Sequence, residues 1–139
     1  MNEEWKCVSV TLSAYEQILR HASQEAPKEC CGFLTGESHT INQCHPAKNV
    51  LQSEFRYSID PKELFQFFKE LRASCRNHLG IYHSHPSSEA YPSRTDIEQA
   101  FYPHCSYLII SLRNPSVPVL RAYRIISGGV TELELQVVS

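Results

Sequence analysis

The strongest constraint on the fold is a helix start set between strand-like runs. Asp60 is placed to cap a first turn, and Pro61 fills the first helical position, where its missing N–H would have no partner anyway. Leu64, Phe65, Phe68 and Leu71 recur at helical spacing, which predicts a helix to about Asn77. A second helix is predicted from an N-cap at Ser13 through Tyr15, Ile18 and Leu19 to near Gln24, with Pro27 stopping it. Strand-like runs surround these helices: Cys7 to Thr11, residues 29–36 (ECCGFLTG), Thr40 to His45, and a half-buried run ending on Phe55, Tyr57 and Ile59. Further along come Leu79 to His83, Tyr107 to Leu112, Val119 to Ile126 and Val130 to Val137, the last two joined through Gly128-Gly129. A Pro- and Ser-rich loop separates Leu79 to His83 from a short helix over Ser93 to Ala100. Hairpins give antiparallel neighbours and helical crossovers give parallel ones, so the prediction is one α/β domain over 1–139. Its sheet is mixed, mostly antiparallel, and flanked by helices.

Charge narrows the partners. A net charge of -2, with both signs interspersed, provides no positive field for a phosphate backbone, so nucleic acid is not expected. No apolar run approaches a membrane span, and MNEEWKCVSV lacks the basic start and apolar core of an export signal. The expectation is a cytoplasmic protein with no membrane partner. The six cysteines, at 7, 30, 31, 44, 75 and 105, are then expected as reduced thiols. They form no C-x-x-C pair, and Cys30 and Cys31, adjacent on a strand, face opposite sides.

The chemistry-bearing segment is YHSHPSSEAYPSRTD, residues 82–96. His83 and His85 stand two apart on an extended chain, so both imidazoles project from one face and can share a cation. Asp96, in the first turn of the next helix, can supply a third ligand. Two imidazoles and a carboxylate suit one Zn(II) per chain and leave a position open for water. A His-x-His pair alone is commonly a solvated loop feature. Ser93 and Asp96 also read as S-x-x-D, a helix-start pattern that needs no metal and is compatible with one. Hydrolysis by water requires a nearby carboxylate to move the proton. Glu29 is the candidate, with Glu89 and Glu98 as rivals.

Pro27-Lys28-Glu29 before CGFLTG, then His83-Ser84-His85-Pro86, Ser93 and Asp96, resemble the complete JAMM signature of MPN-domain metalloproteases. The segments NVLQSEFRYSIDPKEL, SEAYPSRTD and YRIISGGVTE are similar to bacterial Mec-type members, so the resemblance covers essentially the whole chain. It implies a JAMM/MPN fold, a three-layer sandwich like that of cytidine deaminases. It also implies zinc ligation by His83, His85 and Asp96, Glu29 as general base and acid, and Ser93 as the hydroxyl that steadies the oxyanion. The implied substrate is a small β-grasp, ubiquitin-like sulfur carrier ending Gly-Gly, cleaved after that tail, for example to release cysteine.

About nine residues separate Asp96 from the next predicted strand, too few for the insertion of linkage-specific eukaryotic members. A compact carrier with an extended tail fits better, and residues 51–58 are a candidate strand edge for that tail. Deconjugation of ubiquitin-like protein–lysine conjugates is the alternative activity. A non-catalytic MPN scaffold is the alternative of another class, although such scaffolds typically lack the metal ligands. A zinc deaminase would need His-x-Glu and Pro-Cys-x-x-Cys, and neither occurs.

Overall fold

A computed structural model describes residues 6–139. Its elements run β1 (Cys7–Thr11), α1 (Leu12–Glu25), β2 (Cys31–Glu37), β3 (Thr40–Ala47), α2 (Pro61–Arg72), β4 (Asn77–His85), α3 (Arg94–Glu98), β5 (Ser106–Ser111), β6 (Val119–Ile126) and β7 (Gly129–Val138). The strands hydrogen-bond in the order β1-β3-β2-β4-β5-β6-β7, and β7 returns to pair with β1, closing the sheet. Pairs β1–β3, β1–β7 and β4–β5 are parallel; the other four are antiparallel.

The mixed, mostly antiparallel sheet with flanking helices is as predicted, but it is a closed seven-stranded sheet and not an open sandwich layer. Closure comes from the register Cys7↔Glu134 to Thr11↔Val138, which joins the first and last strands. Alternation along the strands divides the core between two faces. Leu34, Tyr82, Leu108 and Ile110 pack with Ala14, Ile18 and Ala22 of α1. Phe33, Ile81, Ile109 and Tyr123 pack with Phe67 of α2 and with Ile97 of α3. Phe33 and Phe67 stack at 3.9 Å between centroids.

Several boundaries differ from the sequence reading, each for a local reason. Thr11, not Ser13, caps α1, its side chain accepting from Ala14 N at 3.2 Å. Asp60 caps α2 with Pro61 at its start, as predicted, but that helix ends at Arg72 because the chain turns at Ala73 and enters β4. The β6–β7 turn is centred on Ser127 and Gly128, both with positive φ, so Gly129 already pairs with Ile126. Two consecutive left-handed residues suit the right-handed twist of the strands.

Residues 51–58, expected as a strand edge, form a loop whose two ends are joined by the isolated bridge Asn49↔Ile59. Asn49 organises it. Its Nδ2 donates to the carbonyls of Glu29 (3.0 Å) and Arg56 (3.1 Å), and its Oδ1 accepts from Leu51 N (3.1 Å) and Ser58 N (3.0 Å). These bonds take up backbone groups that a ladder would otherwise pair. The six cysteines are free. No helix among the described residues is long and apolar enough to cross a membrane.

Candidate active site

The end of β4 carries the two histidines. Cys31 pairs with His83 and Ser84 N donates to Cys30 O, so continuing the antiparallel register sets Glu29 opposite His85. Glu29, Cys31, His83 and His85 therefore share one face by strand alternation. Backbone bonds hold Glu29 there: its N donates to Ser53 O at 2.8 Å, and its carbonyl accepts from Asn49. Asp96 reaches the same place from α3. Its helix start is a reciprocal capping box, with Asp96 N donating to Ser93 Oγ (3.1 Å) and Ser93 N donating to Asp96 Oδ2 (2.9 Å).

The structure brings His83, His85 and Asp96 together. His83 Nε2 and His85 Nε2 are each 3.0 Å from Asp96 Oδ2 and 3.2 Å from one another. A tetrahedral site with bonds of about 2.05 Å separates its ligands by roughly 3.3 Å, so this triangle is close to that of three ligands around one small cation. His85 Nδ1 lies 2.8 Å from the Glu89 carbonyl, which can only accept; the proton is on Nδ1 and the Nε2 lone pair faces Asp96. His83 lacks that support, since its buried Nδ1 has no hydrogen-bond partner among the described residues. Tyr57 instead stacks on its ring at 4.5 Å.

The electrostatics follow from burial. Glu29 is 3% exposed, and burial pushes its carboxyl up to about 8; His85 opposes that rise and Asp96 adds to it. Its Oε1 has no hydrogen-bond partner among the described residues and lies on the face of the two histidines. Burial would raise Asp96 as well, but its bonds with His83 and His85 outweigh this and hold the carboxyl well below the usual carboxylate range. Burial lowers His83. At His85 the bonds to Asp96 and the Glu89 carbonyl overcome the same penalty and raise it.

Ser93, Glu29 and the three ligand candidates thus converge. The rival carboxylates do not: no bond joins the Glu89 carboxylate to the triad, and Glu98 pairs with Arg94 at 3.4 Å on the exposed side of α3. The sequence reading did not single out Asn49, Tyr57 or Ser84, whose Oγ accepts from Cys30 N at 2.8 Å. No spacing marks Asn49 or Ser84; Tyr57 was visible only as an alternating apolar position. Beside the triad, Tyr57 also walls a cavity of about 140 Å³, together with Ile59, Leu64, Ile81, Phe101 and Tyr107.

A closed, mostly β-sheet with a candidate N,N,O ligand set at one strand end and a buried carboxylate beside it defines a class of α/β protein with a candidate metal centre. Residues 11–126 match the family model described as prokaryotic homologs of the JAB domain, and the chain belongs to that family. It is 37% identical over 123 residues to the CysO-cysteine peptidase of Mycobacterium tuberculosis, covering 87% of this chain and 84% of that protein. It is also 37% identical over 111 residues to the desampylase of Haloferax volcanii, covering 75% and 80%. A solution structure of a Desulfitobacterium hafniense protein superimposes with a TM-score of 0.85 at 37% identity, covering 94% of this chain and 92% of that one.

Proposed function

We propose that this chain is a zinc-dependent peptidase that hydrolyses the amide bond after the C-terminal Gly-Gly of a small ubiquitin-like, β-grasp sulfur-carrier protein, for example releasing cysteine from a carrier–cysteine adduct. The observation that carries this reading is the triangle of His83 Nε2, His85 Nε2 and Asp96 Oδ2, with sides of 3.0–3.2 Å, on the same sheet face as the buried Glu29. The names of the mycobacterial and haloarchaeal relatives support the substrate class. Free thiols throughout the described chain suit the cytoplasm.

Zinc bound by His83, His85 and Asp96 would polarise the scissile carbonyl and acidify a water. The protein's own groups do the rest. Glu29, whose buried Oε1 has no hydrogen-bond partner among the described residues, is ionised when a cation sits on the neighbouring ligands, and in that form it accepts the water proton and delivers it to the leaving amine. The Ser93 hydroxyl accepts from Asp96 N, which leaves its own proton free to donate to the developing oxyanion. Asn49 sets the backbone that carries Glu29, and Tyr57 fixes the His83 ring plane. A carrier tail approaching Glu29 would lie along the 51–58 loop, since the closed sheet has no long free strand edge there for it to extend.

Mass spectrometry of a carrier–cysteine adduct incubated with the protein tests the reading: the adduct should lose its terminal residue. Glu29→Ala should retain zinc and lose cleavage. Full activity of that variant would refute the base assignment. Cleavage confined to carrier–lysine isopeptides would favour deconjugation instead, an alternative suggested by the name of the haloarchaeal relative.

A further inference from the structure

The opposite end of β4 carries a second cluster of ligand-type side chains. His78, His104 and Cys105 each offer one donor atom, and these atoms lie within 4.8 Å of one another. His78 is there because of an irregularity in the sheet. Leu34 pairs with Gly80 but Thr35 pairs with His78, so Leu79 is an extra residue on β4. Without that bulge His78, five positions before His83, would face the other side of the sheet. With it, His78 turns toward α2 and meets Phe33, Phe67, Phe68 and Tyr102 edge-on.

His78 Nε2 is 3.0 Å from the Gly80 carbonyl and must donate to it, which commits the Nδ1 lone pair to the opposite side. That side holds Cys105 Sγ, 3.6 Å from Nδ1. Bonds of about 2.05 Å to nitrogen and 2.3 Å to sulfur place tetrahedral N and S ligands roughly 3.6 Å apart. The His78–Cys105 pair is therefore already at ligand separation. His104 is exposed and its ring lies 6.0 Å from that of His78, edge to face. A modest rotation of an exposed side chain completes the set. His78 and His104 line a surface groove of about 550 Å³ that also holds Ser38, His39 and Arg76, which provides an entry path and room for a fourth ligand.

We propose that His78, His104 and Cys105 form a second cation site, separate from His83, His85 and Asp96, that takes a borderline-soft divalent ion of the Zn(II) class. Two imidazoles and a sulfur select such an ion over magnesium or calcium. On coordination the Cys105 thiol releases its proton to solvent and binds as thiolate. The ordinary alternative is a packed thiol that donates to the His78 carbonyl, also 3.6 Å away. The site would tie the start of β4 to the residue preceding β5 and brace the 99–105 segment that leaves α3, the helix carrying Asp96. Its role is structural support for the other centre.

Cobalt(II) separates the two centres, because the His83, His85 and Asp96 set contains no sulfur. Metal-stripped protein titrated with cobalt(II) should develop a sulfur-to-cobalt charge-transfer band in the near ultraviolet. The band should persist in His83→Ala, vanish in Cys105→Ser, and require about tenfold or more higher cobalt in His104→Ala. His104 is exposed, so that variant should keep the wild-type circular dichroism spectrum. Absence of the band in wild-type protein at saturating cobalt would overturn the proposal. So would a band of undiminished intensity in Cys105→Ser. The readout does not depend on peptidase activity, so it stands or falls apart from the functional proposal.

Discussion

Replacing Glu29 by Gln in metal-stripped protein should remove a defined part of the pH dependence of stability. Burial holds the Glu29 carboxyl near 8 in the folded chain against an ordinary value of 4.5. Between those values the unfolded chain has released its proton and the folded chain has kept it. The stabilising preference for the neutral carboxyl is complete below 4.5 and lost as pH rises through 8. One pH unit in that window corresponds to about 1.4 kcal/mol, so raising pH from 5 to 7 lowers stability by roughly 2–3 kcal/mol. At about 3–4 °C per kcal/mol for a chain of this size, the wild-type Tm should fall relative to Glu29→Gln by roughly 6–12 °C. Glutamine preserves shape, and comparing the two proteins largely cancels the titration of Asp96, His83 and His85. The assay is calorimetric unfolding in chelator at pH 5, 6, 7 and 8. Two Tm curves that stay parallel across this range would refute the assignment of a neutral, buried Glu29.

Asn49→Ala leaves the carbonyls of Glu29 and Arg56 and the N–H groups of Leu51 and Ser58 without their shared partner. Partial access to water limits the loss to about 2–4 kcal/mol in urea unfolding, and a loss under about 0.5 would remove Asn49 as the organiser of the loop. Gly32→Ala sets a Cβ 2.4 Å from the Tyr82 ring and 2.5 Å from the His45 carbonyl, which belongs to rigid backbone. Urea unfolding should show a loss above about 2 kcal/mol. Ser93→Ala should cost about 1 kcal/mol of cap stability and about 100-fold in turnover with little change in KM, while Ser93→Thr recovers both; unchanged turnover in the alanine variant would exclude an oxyanion role.

What the sequence made legible was mostly local. His83 and His85 announce a shared face through strand alternation, Asp60-Pro61 announces a helix start, and Ser93 with Asp96 announces a helix cap. Each rests on spacing within one element, which tertiary packing leaves intact. The features that escaped are non-local or concern single residues. Closure of the sheet requires Cys7–Thr11 to find Glu134–Val138 across the whole chain, and no periodicity encodes that pairing. Residues 55, 57 and 59 alternate like a strand, yet the buried amide of Asn49 takes up the neighbouring backbone and keeps the segment a loop. The α2 pattern has no Gly or Pro near its end, so the stop at Arg72 was hidden. The Leu79 bulge, which turns His78 to the site-bearing face, shows only in the register of β2 against β4.

Zinc reconstitution tests the central claim most directly. Protein stripped by chelator and dialysed should release no terminal residue from a carrier–cysteine adduct, and cleavage should return as zinc is added to wild-type protein but not to His83→Ala. Undiminished cleavage by the stripped wild-type protein, verified metal-free by mass spectrometry, would contradict a centre built on His83, His85 and Asp96.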